Sequence, residues 1–275
     1  MSIKLVAIDI DGTLLNSQHK ITPRVKEALQ KANDQGVRIV LCTGRPLPGV
    51  KEQLDELALY GENDFVITYN GSLVQATKDN AIISRYTLSY EDFLEIEMYS
   101  RKVGAHLHTI DDSAIYTANR NIGKYTIHEA SLVNMPLKYR TVDEMTPEMN
   151  IIKMMMIDEP EVLDPAIAKL PLHFTEKYTT VKSTPFYYEI MNKNASKGNA
   201  LAKLADHLGL NKDEVMAIGD NENDLSMIDY AGIGVAMGNA TENVKTIADV
   251  HTTSNDEDGV AQIIEKMVLI RSEEH

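Results

Sequence analysis

Two carboxylates one residue apart end an apolar run near the start of the chain, in Asp9-Ile10-Asp11-Gly12-Thr13. On an extended chain, residues i and i+2 point to the same side, so Asp9 and Asp11 face one point in space if strand geometry holds through both. A pair aimed together calls for a cation, a proton or a chemical task. The plain alternative is an acidic turn closing a strand, for which Asp and Gly are ordinary residues.

Three more positions carry comparable chemistry. Thr43-Gly44 follows the apolar run Arg38-Ile-Val-Leu-Cys42, Lys197 stands at a helix start, and Gly219-Asp220 with Asn223 and Asp224 follows the apolar run from Val215. Singly, each has a plain reading as a strand-to-loop turn or a solvated helix lysine. What joins them is the set of elements that must position them.

After the opening turn, Thr22-Pro23 starts a helix with the apolar stripe Val25, Ala28, Leu29 and Ala32, stopped at Gly36. The strand from Arg38 follows, then a helix near Pro48 to Leu59, then the strand Asp64-Phe-Val-Ile-Thr-Tyr-Asn70-Gly71. Near-continuous apolar strands of this kind are covered on both faces. From Ser72 the pattern changes to a hairpin around Lys78-Asp79-Asn80. A helix opened by Ser89 and closed by Gly104 follows, then strands at His106 to Ile110, Ile151 to Ile157, Tyr178 to Lys182 and Phe186 to Met191. Alternation resumes with a helix from Ser196-Lys197, the strand from Val215, a helix Asn223 to Tyr230, a strand at Ile233, a helix capped by Asn239, and a last helix near Asp258 to Leu269.

The expected fold is therefore α/β: a doubly wound, Rossmann-like parallel sheet core, residues 1–83 and 190–275, with a smaller α/β domain, 84–189, inserted. Ligands of open parallel sheets sit outside the carboxyl ends of the strands, where all four reactive positions fall.

Composition narrows the function. The chain has 275 residues, 43% of them hydrophobic, enough for a sizeable core. A net charge of −14 without a Lys/Arg cluster argues against nucleic acid as partner, and means that any phosphate site is built from local donors and a metal. The single cysteine, Cys42, excludes an internal disulfide and sits in an apolar strand as a small buried hydrophobe. No stretch approaches the ~20 apolar residues of a membrane span, and a cytoplasmic protein without membrane partner is expected, as monomer or homodimer.

With these motifs in order over nearly the full length, the chain resembles the haloacid dehalogenase-like phosphatases. Asp9 to Thr13, Thr43, Lys197 and Gly219-Asp220 with Asp224 match that family's four motifs. The insert, Thr43-Gly44-Arg45 and Asn223-Asp224 resemble the Cof-type subfamily, and within it the bacterial sugar-phosphate phosphatases of the YidA type. The resemblance implies that Asp9 attacks phosphorus, forming an aspartyl-phosphate, and that Asp11 protonates the leaving oxygen and then activates water. It implies Mg2+ held by Asp9, Asp220 and the Asp11 carbonyl, with Asp224 nearby, and phosphate held by Thr43, Gly44, Lys197 and Asn223. Dehalogenases of the superfamily lack the second aspartate and ion pumps carry Thr there, so Asp11 favours rapid hydrolysis.

The insert would then be a cap closing over the site and selecting the substrate, a small phosphorylated metabolite such as a sugar phosphate. Arg45, Asn70 and Gly71 either touch substrate or serve as turn and surface residues. Tyr125 and His128, at i and i+3 of a cap helix, line the cleft or belong to a solvated face. His106 and His108 lack the carboxylate or cysteine partners of a metal site and read as surface or packing residues. Met154-Met155-Met156 reads as cap core, and Glu189 as at most a cap contact. Two other functions remain compatible with these residues: a phosphotransferase or phosphomutase on phosphorylated sugars, and a non-catalytic phosphometabolite-binding protein.

Overall fold

The computed structural model describes residues 2–269. The chain divides into two compact units, Met1–Arg85 with Ser196–His275, and Tyr86–Ala195. In chain order the first unit supplies β1 (Leu5–Asp9), β2 (Arg38–Cys42), β3 (Phe65–Thr68), β4 (Leu73–Ala76) and β5 (Ile82–Arg85). The second supplies β6 (His106–Ile110), β7 (Ile115–Thr117), β8 (Leu137–Tyr139), β9 (Lys153–Ile157), β10 (Tyr178–Thr184) and β11 (Tyr187–Asn192); β12 (Val215–Gly219), β13 (Ile233–Ala236) and β14 (Val250–His251) return to the first.

The first unit is an eight-stranded sheet in the order β14-β13-β12-β1-β2-β3-β4-β5. It is parallel from β14 to β3, and the hairpin β4–β5 extends it antiparallel at one edge. β1 lies between β2 and β12, with every residue of β1 and β12 buried. This is the switch point of a doubly wound sheet, where consecutive crossovers run off in opposite directions and leave a crevice at the strand ends. Helix Pro23–Asp34 covers one face through Val25, Ala28, Leu29 and Ala32, with Thr22 Oγ1 accepting from Val25 N at 3.3 Å and Pro23 in its first turn.

The second unit is a six-stranded sheet in the order β10-β11-β9-β6-β7-β8. One face carries Leu107, Met154, Met156 and Ile190, packed on Phe93, Ile96, Leu163 and Phe174. Period-2 alternation sends Met155 to the opposite face, in register with His108 and Glu189. There Lys153 Nζ lies 3.0 Å from Glu189 Oε2 and 4.0 Å from Glu129 Oε1, all three residues buried.

Both sequence-based boundaries need moving. A cut at 83/84 divides β5, which pairs with β4 in the first sheet, and a cut at 189/190 divides β11, which pairs with β9 and β10 in the second. Hydrogen-bonded ladders decide membership, and their partners are remote in sequence. Asn239 is not a helix cap either: helix Glu242–Ile247 is capped by Thr241.

His108 is a packing residue, as its sequence setting suggested, but neither ring nitrogen has a hydrogen-bond partner among the described residues. Burial, reinforced by the Lys153 ammonium, pushes its imidazole down to about 3. An imidazole buried neutral binds its proton more readily in the unfolded chain, so stability is lost as pH falls from about 6.5 toward 3, by up to about 1.4 kcal/mol per pH unit for this one group. His108→Leu should therefore flatten the acid limb of the unfolding free energy measured by urea titration between pH 6.5 and 4; an unchanged slope would show that His108 takes up its proton alike in the folded and unfolded chain.

Candidate active site

The sheet register alone brings the reactive residues together. Asp9, last residue of β1, pairs with Cys42 on β2, and its neighbour Ile8 pairs with Ile218 on β12. Thr43 and Asp220 are thus the residues just beyond the flanking strands, at the same sheet end as Asp9.

Lys197 arrives from the first turn of helix Lys197–His207, capped by Ser196, whose Oγ accepts from Asn199 N at 3.1 Å. The helix start is pressed onto the loop after β3. Gly71 adopts φ +95°, and a Cβ there would fall 2.1 Å from the Ser196 carbonyl oxygen, so only glycine allows this approach. Gly71 therefore seats the lysine helix.

The Lys197 ammonium is fully buried, 2.5 Å from Asp9 Oδ1 and 2.6 Å from Asp224 Oδ1. Asp224 Oδ2 accepts from the backbone N–H groups of Asp220 and Asn221 at 2.9 and 3.0 Å. Both Asp224 oxygens thereby accept from protein donors, tying Lys197 to the Asp220 loop. Asp220 Oδ1 accepts from Thr13 Oγ1 at 2.8 Å.

The charges are strongly perturbed. Burial, followed by repulsion from Asp224, pushes the Asp9 carboxyl well above the usual range against the pull of Lys197. Asp220 is pushed up to about 6, chiefly by burial, against the Thr13 hydrogen bond. Burial works against the Lys197 ammonium, but Asp224 and Asp9 outweigh it and hold it above the ordinary lysine range. One carboxylate oxygen from each of Asp9, Asp220 and Asp224 lies within 4.8 Å of the others. Three carboxylates around one ammonium leave two negative charges uncompensated, and an all-oxygen donor set of that charge fits a hard divalent cation. The fit is narrower than the cluster, since Asp224 spends its oxygens on protein donors; Asp9 and Asp220 are the side chains left for a cation.

Thr43 is buried; its Oγ1 accepts from Arg45 N at 3.0 Å, and the Gly44 N–H donates to none of the described residues. Asn70 accepts on Oδ1 from Asn223 Nδ2 at 3.0 Å, linking the loops after β3 and β12. Asp11 is exposed and gripped by Arg45: Nε donates to Oδ2 at 2.9 Å, Nη2 contacts Oδ1, and Nη1 donates to the Gly49 carbonyl at 3.1 Å. Sequence reasoning singled out both Asp11 and Arg45 but missed that they are partners, because no local pattern links residues 34 apart. Cys42 is buried beneath the site, its thiol pushed up to about 12 by burial, which disposes of a nucleophilic role.

Of the side residues, Tyr125 stacks on Phe186 at 4.3 Å between ring centroids and donates to Glu159 Oε2 at 2.9 Å, while His128 is exposed. His106 Nδ1 lies 2.7 Å from Asp158 Oδ2.

A profile of haloacid dehalogenase-like hydrolases matches residues 6–264. The chain belongs to that family. It is 54% identical over 269 residues to a "putative phosphatase" of Streptococcus pyogenes serotype M6, covering 98% of this chain and 100% of the relative. It is 34% identical to the 5-amino-6-(5-phospho-D-ribitylamino)uracil phosphatase YcsE of Bacillus subtilis, over 98% of this chain and 97% of that one. Among solved structures, a haloacid dehalogenase-like hydrolase from Bacteroides thetaiotaomicron superposes with a TM-score of 0.83 at 34% identity, covering 96% of this chain and 99% of that one. Within the described residues no helix is long and apolar enough to cross a membrane.

Removing the buried cation of this site strands two carboxylates. Lys197→Met should lower the unfolding free energy by about 3–5 kcal/mol in metal-free buffer, read by urea denaturation; a loss below about 1 kcal/mol would show that the lysine is not what holds Asp9 and Asp224 together.

Proposed function

We propose that the protein is a magnesium-dependent phosphatase that hydrolyses sugar phosphates or similar small phosphomonoesters through an aspartyl-phosphate. The observation that carries this reading is the buried Lys197 ammonium on Asp9 Oδ1, beside Asp220 and next to the open Gly44 N–H. A carboxylate so held has a fixed direction of attack, and the same lysine offers charge to the phosphoryl oxygens as it develops. The names borne by the relatives, phosphatases of which one is named for a phosphorylated ribityl compound, support the same class.

In the proposed reaction an Asp9 oxygen attacks phosphorus as the bond to the ester oxygen breaks, and Asp11 delivers its proton to the departing alkoxide. Asp11 then takes a proton from water, whose oxygen attacks phosphorus; the bond to Asp9 breaks and inorganic phosphate leaves. Thr43 Oγ1, the Gly44 N–H, Lys197 and Asn223 hold the non-reacting oxygens. Mg2+, held by Asp9, Asp220 and the Asp11 carbonyl, would supply positive charge that offsets repulsion between the Asp9 carboxylate and the phosphate. Arg45 occupies both Asp11 oxygens, so one must be released before Asp11 handles a proton; an anionic substrate drawing the guanidinium away would accomplish this. Substrate choice is assigned to the unit Tyr86–Ala195.

Phosphate release from a panel of sugar phosphates and other phosphomonoesters, with Mg2+ and with chelator, tests the proposal. Wild type should release phosphate only with metal, and Asp9→Asn should lose about a thousandfold or more. Full activity in Asp9→Asn removes the nucleophile, no release from any ester removes the phosphatase, and a sugar bisphosphate in place of free phosphate identifies a transferase. Arg45→Ala should raise KM for the phosphomonoester, since the guanidinium that the anionic substrate draws from Asp11 is then missing; a wild-type KM would show Arg45 to be a bystander.

A further inference from the structure

Freed from the capping role its sequence suggests, Asn239 uses its amide elsewhere. Its Nδ2 donates to the Gly12 carbonyl at 2.8 Å, and its Oδ1 accepts from Asn255 N at 3.0 Å. Gly12 is the residue after Asp11, held at φ +87° so close to Asp220 that a Cβ would fall 2.5 Å from Oδ2. The carbonyls around it are nearly all engaged: Asp9 O accepts from Leu14 N at 3.1 Å, Ile10 O from Leu15 N at 3.0 Å, and Gly12 O from Asn239. The Asp11 carbonyl accepts a hydrogen bond from none of the described residues. The open Asp11 carbonyl thus stands between the engaged carbonyls of Ile10 and Gly12, beside the two acids left for a cation.

We propose that Asn239 is a positioning residue for the metal site: its amide fixes the Gly12 peptide and so aims the Asp11 carbonyl as the third oxygen ligand. This rests on the reading of the site as cation-assisted. The arrangement contains its own control. Asn255 Nδ2 donates to the Leu15 carbonyl at 2.8 Å and ties down the same segment without touching Gly12, the residue that follows the Asp11 carbonyl. A general loosening of the turn follows from losing either side chain, whereas a misdirected carbonyl follows only from losing Asn239.

Mn2+ binding followed by electron paramagnetic resonance, without substrate, separates the two. Asn239→Ala should weaken Mn2+ binding by about tenfold or more, the usual cost of removing a partner that orients a metal ligand. Phosphate release should fall at fixed Mg2+ and recover partly as Mg2+ is raised. Asn255→Ala should bind Mn2+ as wild type does while its Tm falls. Should Asn239→Ala not fold, Asn239→Ser, too short to reach Gly12, carries the same expectation. Unaltered Mn2+ affinity in the Asn239 variants, affinity lost in both variants in parallel with Tm, or a wild type that binds no Mn2+ would each overturn the proposal. Absence of phosphate release from a wild type that binds Mn2+ would count against the phosphatase reading alone.

Discussion

A single ammonium, buried without access to solvent between Asp9 and Asp224, sets the geometry on which the rest of the site depends. Such a charge is tolerated only where partners satisfy it, and removing either partner leaves an expensive orphan. The fold accordingly converges on it from three directions. β1 ends at Asp9, the loop after β12 turns back so that Asp224 meets both the lysine and the N–H groups of Asp220 and Asn221, and Gly71 lets the helix bearing Lys197 approach closely. Three acids, Asp9, Asp220 and Asp224, thereby share one ammonium. The packing therefore leaves an all-oxygen donor set that fits a divalent cation.

Asp9 and Asp11, one residue apart, end in opposite environments. Asp9 is buried, and burial works against its charge; Asp11 is exposed and bound at both oxygens by a guanidinium. Groups of one type placed in such different settings are suited to different tasks, which is the basis for assigning attack to one and proton transfer to the other. The turn between them is held by the Thr13–Asp220 and Asn239–Gly12 bonds, so the partition is built into the backbone as well as the side chains.

Much of this was legible in the sequence because the reactive residues terminate regular elements. Asp9, Thr43 and Asp220 follow apolar runs that can only be buried parallel strands, and Lys197 follows a helix cap; sheet topology then has one place to put them. The stripe of helix Pro23–Asp34 and the Ser89 cap were equally plain, being local. What the sequence hid depends on pairing at a distance. The hairpin β4–β5 is split by a domain boundary at 83/84 until its ladder with β3 is seen. The short strands β7, β8 and β14 hold too few residues for periodicity to register. Asn239 has an ordinary capping signature two residues before the true cap, and only the fold reveals that its amide faces Gly12. Arg45 and Asp11 likewise meet only in three dimensions.

The central claim is that Asp9 forms a bond to phosphorus, so that hydrolysis proceeds by two in-line displacements. The most direct test is the stereochemical course at phosphorus, using a phosphomonoester the enzyme hydrolyses, made chiral with oxygen isotopes. Two displacements predict retention of configuration in the released phosphate. Inversion would mean that water attacks the ester directly, and would contradict the account.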